Sequence, residues 1–240
     1  MQSLDRGLAV IRSFTGTSGR LTIADVARGT GLTRASVRRS LHTLRTLGYV
    51  GSADGRFFLQ PRVLELGYAY LSSASIPVVA REHLVRLSER LKASCSMAVL
   101  DGSDILYVAR AQTQRTVSVS VGARTPAFAT SMGRVLLAGL AGEALEEQLE
   151  AADRDRWEPD RLREVIGDVR RQGFALVDEE LVAGQRSVAA PVRDVTGRVV
   201  AAVAVSDDAA RVTVGTLRTT YRRELVQTAL NISYGLAARG

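Results

Sequence analysis

Residues 21–50, LTIADVARGTGLTRASVRRSLHTLRTLGYV, constrain this chain more tightly than any other stretch. Thr22 can cap a helix, with Asp25 standing where a capping box usually has glutamate. Ile23, Val26 and Ala27 give that helix a short apolar face, and Gly29 or Gly31 closes it. Thr33 can cap a second helix carrying Val37, Leu41, Leu44 and Leu47, which Gly48 ends. Two short helices joined by glycine, the second longer and more basic, form a helix-turn-helix pattern. The spacing Ala27-x3-Gly31-x5-Val37 suits it physically. A small residue lets the helices approach, glycine takes the left-handed turn, and valine anchors the second helix. YVGS, ADG and RFFLQ then read as a hairpin turning on Asp54-Gly55, which makes the whole a winged helix. Ahead of it, Leu4, Leu8, Ile11 and Phe14 recur at helical spacing and predict a first helix with one apolar face, ended by Gly16 and Gly19.

With Val37 and Leu41 inward, about 100° per residue turns Ala35, Arg39 and His42 to the opposite side of the second helix. Ser36 and Thr43 flank them on one edge and Arg38 on the other. Arginine can hold guanine through two bonds or neutralise phosphate, and small residues permit close approach to a groove floor. Arg39 is therefore the expected base reader. Arg34 at the helix start and Arg56 on the hairpin are better placed for phosphate, and Thr33, the cap, belongs to the same DNA-binding group. A merely solvated helix face is the plainer alternative, and charge distribution argues against it. Residues 1–70 hold ten arginines against four acidic residues, whereas the remainder holds 22 basic against 21 acidic. Lys92 is the only lysine, so the choice of arginine says little; the asymmetry says more.

At 240 residues, 46% apolar and 24% charged, the chain can build two cores. No run approaches the roughly 18–20 apolar residues that span a bilayer, and no leader pattern is visible, so a cytoplasmic protein is expected. One cysteine, Cys95, and two histidines, His42 and His83, argue against a disulfide, a metal centre or a cofactor. PRVLELGYAYLSSA predicts a linker helix, dividing the chain into a DNA-binding domain over 1–60, a linker over 61–75 and a second domain over 76–240. A helix over 78–93 precedes strands in SMAVL, ILYVARA and TVSVSVG. TSMGRVLLAGL predicts a helix capped by Thr130 or Ser131, LREVIGDVRRQG another, and FALVDEE a strand. RSVAAPVRD and RVVAAVAVSD form a hairpin about VTG, and a terminal helix closes the chain. Antiparallel strands on one side with helices on the other make this an α+β sensing domain.

The second half carries no G-x-G-x-x-G, P-loop or H-E-x-x-H motif, and Ser131 has no G-x-S-x-G elbow or nearby histidine. A small-acid-processing enzyme using Asp178 or Glu179 as base and Cys95 or Ser131 as nucleophile is the alternative function, without a visible base–nucleophile pair. ARTPAFATSMGRVLL instead leads a loop into a helix N-terminus bearing two hydroxyls and a glycine, where backbone N–H groups and the helix dipole favour a carboxylate.

Together SLDRGLAVI (3–11), residues 21–50, PRVLELGYAYLSS (61–73), AVLDGSDILYVARA (98–111), GARTPAFATSMGRVLLA (122–138) and VDEELVAGQRSVAAPVRDVTGRVVAAVAVS (177–206) resemble the IclR family of bacterial transcriptional regulators. The likeness is nearest the branch governing protocatechuate, p-hydroxybenzoate and β-ketoadipate catabolism. It implies a winged helix, a dimerising linker helix and a GAF-like domain binding a small organic acid, in dimers or tetramers on a palindromic DNA operator. Family effector contacts correspond to Ser131, Met132, Asp178, Gln185, Ser187, Ala204 and Ser206. Arg110, Arg115, Arg124 or Arg186 could also meet the carboxylate of an aromatic acid. The chain departs from the family at Gln185, where leucine is usual, in a short charged segment between Glu150 and Leu162, and in a final helix lacking the typical proline.

Overall fold

A computed structural model describes residues 2–15, 19–67, 75–112, 120–152 and 158–238. The chain divides into two compact units, Met1–Ser73 and Ala74–Gly240.

In the first unit, α1 (Gln2–Arg12), α2 (Ile23–Thr30) and α3 (Arg34–Thr46) precede a hairpin of β1 (Val50–Ala53) and β2 (Arg56–Leu59). The local signals act as expected. The Asp25 amide donates to Thr22 Oγ1 at 3.2 Å while the Thr22 amide donates to Asp25 Oδ2 at 3.0 Å, a reciprocal capping box. Thr22 thereby holds the Asp25 carboxyl below the usual carboxylate range. A depressed carboxylate stabilises above its unfolded value near pH ~4 and loses that contribution as pH falls through the folded one. Gly31 leaves α2 at φ 70°, and Thr33 Oγ1 accepts from the Ser36 amide to start α3. Asp54 and Gly55, at φ 52° and 72°, turn the hairpin with left-handed residues that match strand twist. Leu21 and Phe57 exchange backbone hydrogen bonds of 2.9 and 2.8 Å, tying the wing to the segment before α2.

Val10, Phe14, Val26, Val37, Leu41, Leu44 and Val50 form the core of this unit. Here the expected face of α1 needs correction. Of that face Phe14 is buried and Ile11 packs against the core, but Leu4 and Leu8 are 71% and 37% exposed, and Val10, four residues before Phe14, completes the buried pair. The helix is rotated so that one apolar stripe packs inward, and Leu4, Leu8 and Ile11 border an open groove with Leu47 and Leu66. A 3-10 turn, Pro61–Val63, follows the wing, and Arg62 Nη1 donates to the Leu47 carbonyl at 3.2 Å. Residues 64–67 are helical; the rest of the expected linker helix, 68–74, lies outside the described residues.

The second unit contains α4 (Ser75–Leu91), β3 (Ser94–Asp101), β4 (Asp104–Ala111), β5 (Arg124–Pro126), α5 (Ser131–Ala138), α6 (Gly142–Glu150), α7 (Pro159–Gln172), β6 (Ala175–Asp178), β7 (Gln185–Arg193) and β8 (Val199–Asp208). A helical turn Val214–Thr216 and a π turn Leu217–Tyr221 then lead into α8 (Arg222–Ala237). The strands form one antiparallel sheet in the order β5-β4-β3-β8-β7-β6. α4 starts ahead of Pro77, which the first turn of a helix tolerates. The helix α6 had no counterpart among the sequence-based expectations. Of the strand expected in TVSVSVG (116–122), residues 116–119 lie outside the described residues and 120–122 form a turn rather than a strand; residues 153–157 of the charged segment before α7 also lie outside the described residues.

Helices cover both faces of the sheet, where the sequence suggested one. α4 and α8 pack through Leu84, Leu87, Leu225 and Ile232 onto Cys95, Met97, Val203 and Val205. α5, α6 and α7 pack through Val135, Leu149 and Ile166 onto Ala98, Ala189, Ala202 and Ala204. The central strands are buried on both sides, so their runs read as continuous apolar segments and hide the alternation. The second face is paved with alanine, which lets α5 sit low against the sheet. Gly133 on α5 takes this furthest: a Cβ there would lie 2.0 Å from the Ala127 carbonyl oxygen. Gly133→Ala is therefore expected to cost about 1–3 kcal/mol, measured by denaturant unfolding, and to displace the start of α5 from the sheet.

Candidate functional site

Two surfaces, one in each unit, gather the residues singled out above. On α3, Ala35, Arg38, Arg39 and His42 are all exposed, with Arg38 and Arg39 flanking the Ala35–His42 ridge on either side. Arg34, Ala35 and Arg38 share a groove with Thr22, Ile23 and Ala24 at the start of α2 and with Gly55 at the wing tip. Arg39 instead borders the open groove beside α1. Arg56, the first residue of β2, is exposed beside the turn. Ser36 leaves the group, being only 6% exposed on the edge that faces α1. Arg45, without an expected role, reaches Ser52 Oγ at 3.4 Å and joins α3 to the wing. The arrangement offers guanidinium groups along a helix whose small N-terminal residue allows close approach, beside a hairpin that widens the contact.

The second surface is a cavity of about 280 Å³ between the sheet and the start of α5. That is just below the roughly 300–1,000 Å³ of drug-sized sites, so it suits a small molecule. Strand register builds its floor. One cross-strand row runs Ser94, Ser206, Ser187, Val177, and the next runs Arg110, Ser96, Ala204, Ala189. Because side chains alternate faces, serine at every second position of β3 (Ser94, Ser96) and at Ser187 and Ser206 puts short hydroxyls on one face and leaves space above them. Thr130, Ser131 and Met132 enter from the opposite wall. Thr130 Oγ1 accepts the Gly133 amide at 2.9 Å, capping α5 and directing its positive end at the cavity. The Ser131 and Ser187 hydroxyls meet at 2.9 Å, tying helix to floor.

Polar groups thus occupy both ends. Arg110, Tyr107 and Thr125 stand at the β4 side, and Ser131, Ser187 and Gln185 at the β7 side. Three strand spacings, about 14 Å between backbones, separate β4 from β7. Met132, Ala204, Ala129 and Leu181 supply the apolar middle. Burial pushes the Tyr107 phenol above its ordinary range, opposed by contact with Thr125 and by the Arg110 charge. Burial likewise lowers Arg110 from its usual value, with Tyr107 acting the other way.

Of the expected effector contacts, Ser131, Met132, Gln185, Ser187, Ala204 and Ser206 line this cavity. Asp178 does not: its carboxylate accepts from Arg186 Nε at 2.5 Å. Among the candidate arginines, only Arg110 lines the cavity within the described residues. Arg124 is bound to Asp101 and Asp104, and Arg186 to Asp178, Glu179 and the carbonyls of Ala209 and Val212. Arg115 lies outside the described residues. Sequence reasoning missed Tyr107, Thr125, Ser94 and Ser96, which only strand register brings together.

The geometry does not assemble a nucleophile. Cys95 points to the opposite face of the sheet, and burial pushes its thiol up to about 12. Among the described residues no cluster of histidine, cysteine or carboxylate groups could hold a metal ion, and no helix is long and apolar enough to cross a membrane.

Comparison with known proteins gives these surfaces a context. Residues 3–53 match the IclR helix-turn-helix domain, and residues 68–234 match the bacterial transcriptional regulator IclR C-terminal domain. The chain belongs to the IclR family. It is a regulator of transcription and not an enzyme, with a DNA-binding winged helix and a domain that binds a small effector. It is 47% identical over 222 residues to the Pca regulon regulatory protein of Pseudomonas putida, covering 89% of this chain and 76% of that one. It is 34% identical over 213 residues to the p-hydroxybenzoate hydroxylase transcriptional activator of Acinetobacter baylyi, covering 83% and 79%. A transcriptional-regulator crystal structure from Rhodococcus sp. RHA1 matches with a TM-score of 0.88 at 48% identity, covering both chains fully. The N-terminal match ends within the wing, and the C-terminal match contains the whole cavity.

Proposed function

We propose that this IclR-family regulator controls genes of aromatic-acid catabolism, and that its effector is a small organic acid with a second polar group opposite the carboxylate. The observation that carries this reading is the cavity with a guanidinium at one end and paired hydroxyls at the other. A hydroxybenzoate satisfies both ends across a flat apolar ring, and a six-carbon dicarboxylate satisfies them with a flexible chain. The names of the Pseudomonas and Acinetobacter relatives support the aromatic pathway. Arg110 meets the carboxylate, while Ser131, Ser187 and Gln185, with the amides at the start of α5, meet the other group. Met132, Ala204 and Ser206 shape the middle. Asp178 pairs with Arg186 outside the cavity and takes no part in holding the acid.

On DNA, Arg39 and His42 face the base edges with Ala35 between them, and Thr33, Arg34, Arg38 and Arg56 hold phosphates. The protein works as a dimer or a pair of dimers through the linker over 61–75. Exposed Leu4, Leu47 and Leu66 around the α1 groove support association, since contiguous apolar surface of this kind marks interfaces. Two copies place two recognition helices in successive major grooves of a palindromic operator, with half-sites about one turn apart.

Thermal-shift measurement tests the effector class, with protocatechuate, 4-hydroxybenzoate, benzoate and adipate as probes. At about 100 times Kd a ligand of the folded state adds roughly 2.7 kcal/mol, which raises Tm by about 5–10 °C in a chain of this size. Protocatechuate or 4-hydroxybenzoate is expected to give that shift and benzoate, lacking the second group, at most a small one. No shift with any of the four would overturn this effector class.

A further inference from the structure

The loop between β6 and β7, residues 179–184, contributes Leu181 and Val182 to the outer wall of the cavity. Val182 is 38% exposed, so this wall separates the cavity from solvent. The residue directly before them is held from inside. Arg134 Nη1 and Nη2 donate to the two Glu180 oxygens at 2.9 and 2.5 Å, while its Nε donates to the Phe128 carbonyl at 2.9 Å. Arg134 lies one turn after Ser131 on α5 and is only 6% exposed. The Glu180 side chain keeps 40% of its surface in water. A fixed, nearly buried guanidinium therefore grips a carboxylate that can swing outward.

The loop is also jointed on both sides of this grip. Glu179 and Gly184 stand at φ 59° and 77°, left-handed positions that let the chain reverse sharply at each end. Glu179 Oε2 accepts the Gly184 amide at 2.9 Å, and the Gln185 amide donates to the Val182 carbonyl at 3.1 Å. Leu181 and Val182 cannot leave the cavity wall without carrying Glu180 with them. We propose that Arg134–Glu180 is a latch on a lid over the effector cavity. Opening it admits and releases the acid, and Arg134 and Glu180 are positioning residues that set the exchange rates of effector rather than its recognition. The bidentate pair is charge-assisted on both oxygens, so it holds geometry as well as charge. Breaking it leaves the Arg134 charge in a site with little water, which keeps the closed state dominant.

The assignment of effector to this cavity comes from the proposed function; the latch itself can be tested without it. Hydrogen–deuterium exchange compares the wild-type chain with Glu180→Gln and Glu180→Asp, using Glu164→Gln, which removes an exposed helical pair with Arg161, as control. In Glu180→Gln the Gly184 and Gln185 amides are expected to exchange about tenfold faster, with the β7 amides beyond Gln185 and the β8 amides unchanged, no change for Glu164→Gln, and partial recovery in Glu180→Asp. Rates within twofold of wild type at Gly184 and Gln185 would overturn the latch. Stopped-flow binding of protocatechuate provides the second arm: association and dissociation rates are both expected to rise about five- to tenfold in Glu180→Gln, with Kd moving less than threefold. A rise in Kd carried by dissociation alone would make Glu180 part of recognition and overturn the kinetic role. Failure of protocatechuate to bind wild type counts against the effector class and leaves the exchange result to decide the latch.

Discussion

Replacing Arg110 with glutamine is expected to weaken binding of a hydroxybenzoate by about 30-fold or more while leaving the fold and DNA affinity intact. Arg110 is half-buried at the end of the Arg110–Ser96–Ala204 row, and it is the arginine that lines the cavity among the described residues. Truncating one partner of a buried charge pair costs roughly 2–5 kcal/mol, and each 1.4 kcal/mol is about tenfold in affinity. Glutamine keeps a polar side chain of moderate length, so the ligand carboxylate loses charge and the bidentate fork more than it loses space. Calorimetric titration with protocatechuate measures the effect, with far-UV circular dichroism as the check on folding. An affinity within threefold of wild type would move the carboxylate to the α5 N-terminus and the Ser131–Ser187 pair.

The second large effect is on DNA. With Arg34, Arg38 and Arg56 each neutralising a phosphate in both copies of a dimer, log affinity is expected to fall against log salt with a slope near −5, or about a thousandfold between 50 and 200 mM. Arg38 shares the groove that runs from the start of α2 to the wing tip, so Arg38→Ala is expected to reduce that slope by about 2 and to weaken operator and random DNA alike. Arg39 stands on the other flank of Ala35, where Arg39→Ala is expected to remove about 1–3 kcal/mol of discrimination per half-site. Fluorescence anisotropy across a salt series, on operator and scrambled duplexes, separates the two. Equal losses on both duplexes for Arg39→Ala would assign Arg39 to phosphate.

The winged helix was legible because its signals are local. A cap and its amide sit three residues apart, Gly31 needs its positive φ, and Asp54-Gly55 closes a two-residue turn, so neighbours in the chain carry the information. The first helix was half legible, because Leu4, Leu8 and Ile11 share the spacing of a core stripe while the packed stripe is Val10 and Phe14. Spacing alone does not tell which of two adjacent stripes the neighbours will cover. In the second unit, the start of α5 showed in its hydroxyls and in the family resemblance, which also led to Gln185, Ser187 and Ser206. The floor did not show, since Ser94 and Ser96 become a surface only through pairing with β8 and β4. Arg110 could not be ranked above Arg124 and Arg186 until Asp101, Asp104, Asp178 and Glu179 were seen to hold the latter two. The Arg134–Glu180 pair joins residues far apart in sequence and had no local sign at all.

The central claim is that an acid held by Arg110 alters how the winged helices hold DNA. A ligand shifts that equilibrium only if it binds the DNA-competent and DNA-incompetent arrangements with different affinity. The direct measurement is operator affinity, on a duplex selected from random sequences, with and without saturating protocatechuate or 4-hydroxybenzoate, for wild type and Arg110→Gln. The acid is expected to change wild-type operator affinity at least about fivefold, and at the same concentration to leave Arg110→Gln unchanged, with both proteins binding equally in its absence. An unchanged wild-type affinity, or an undiminished response in Arg110→Gln, would contradict it.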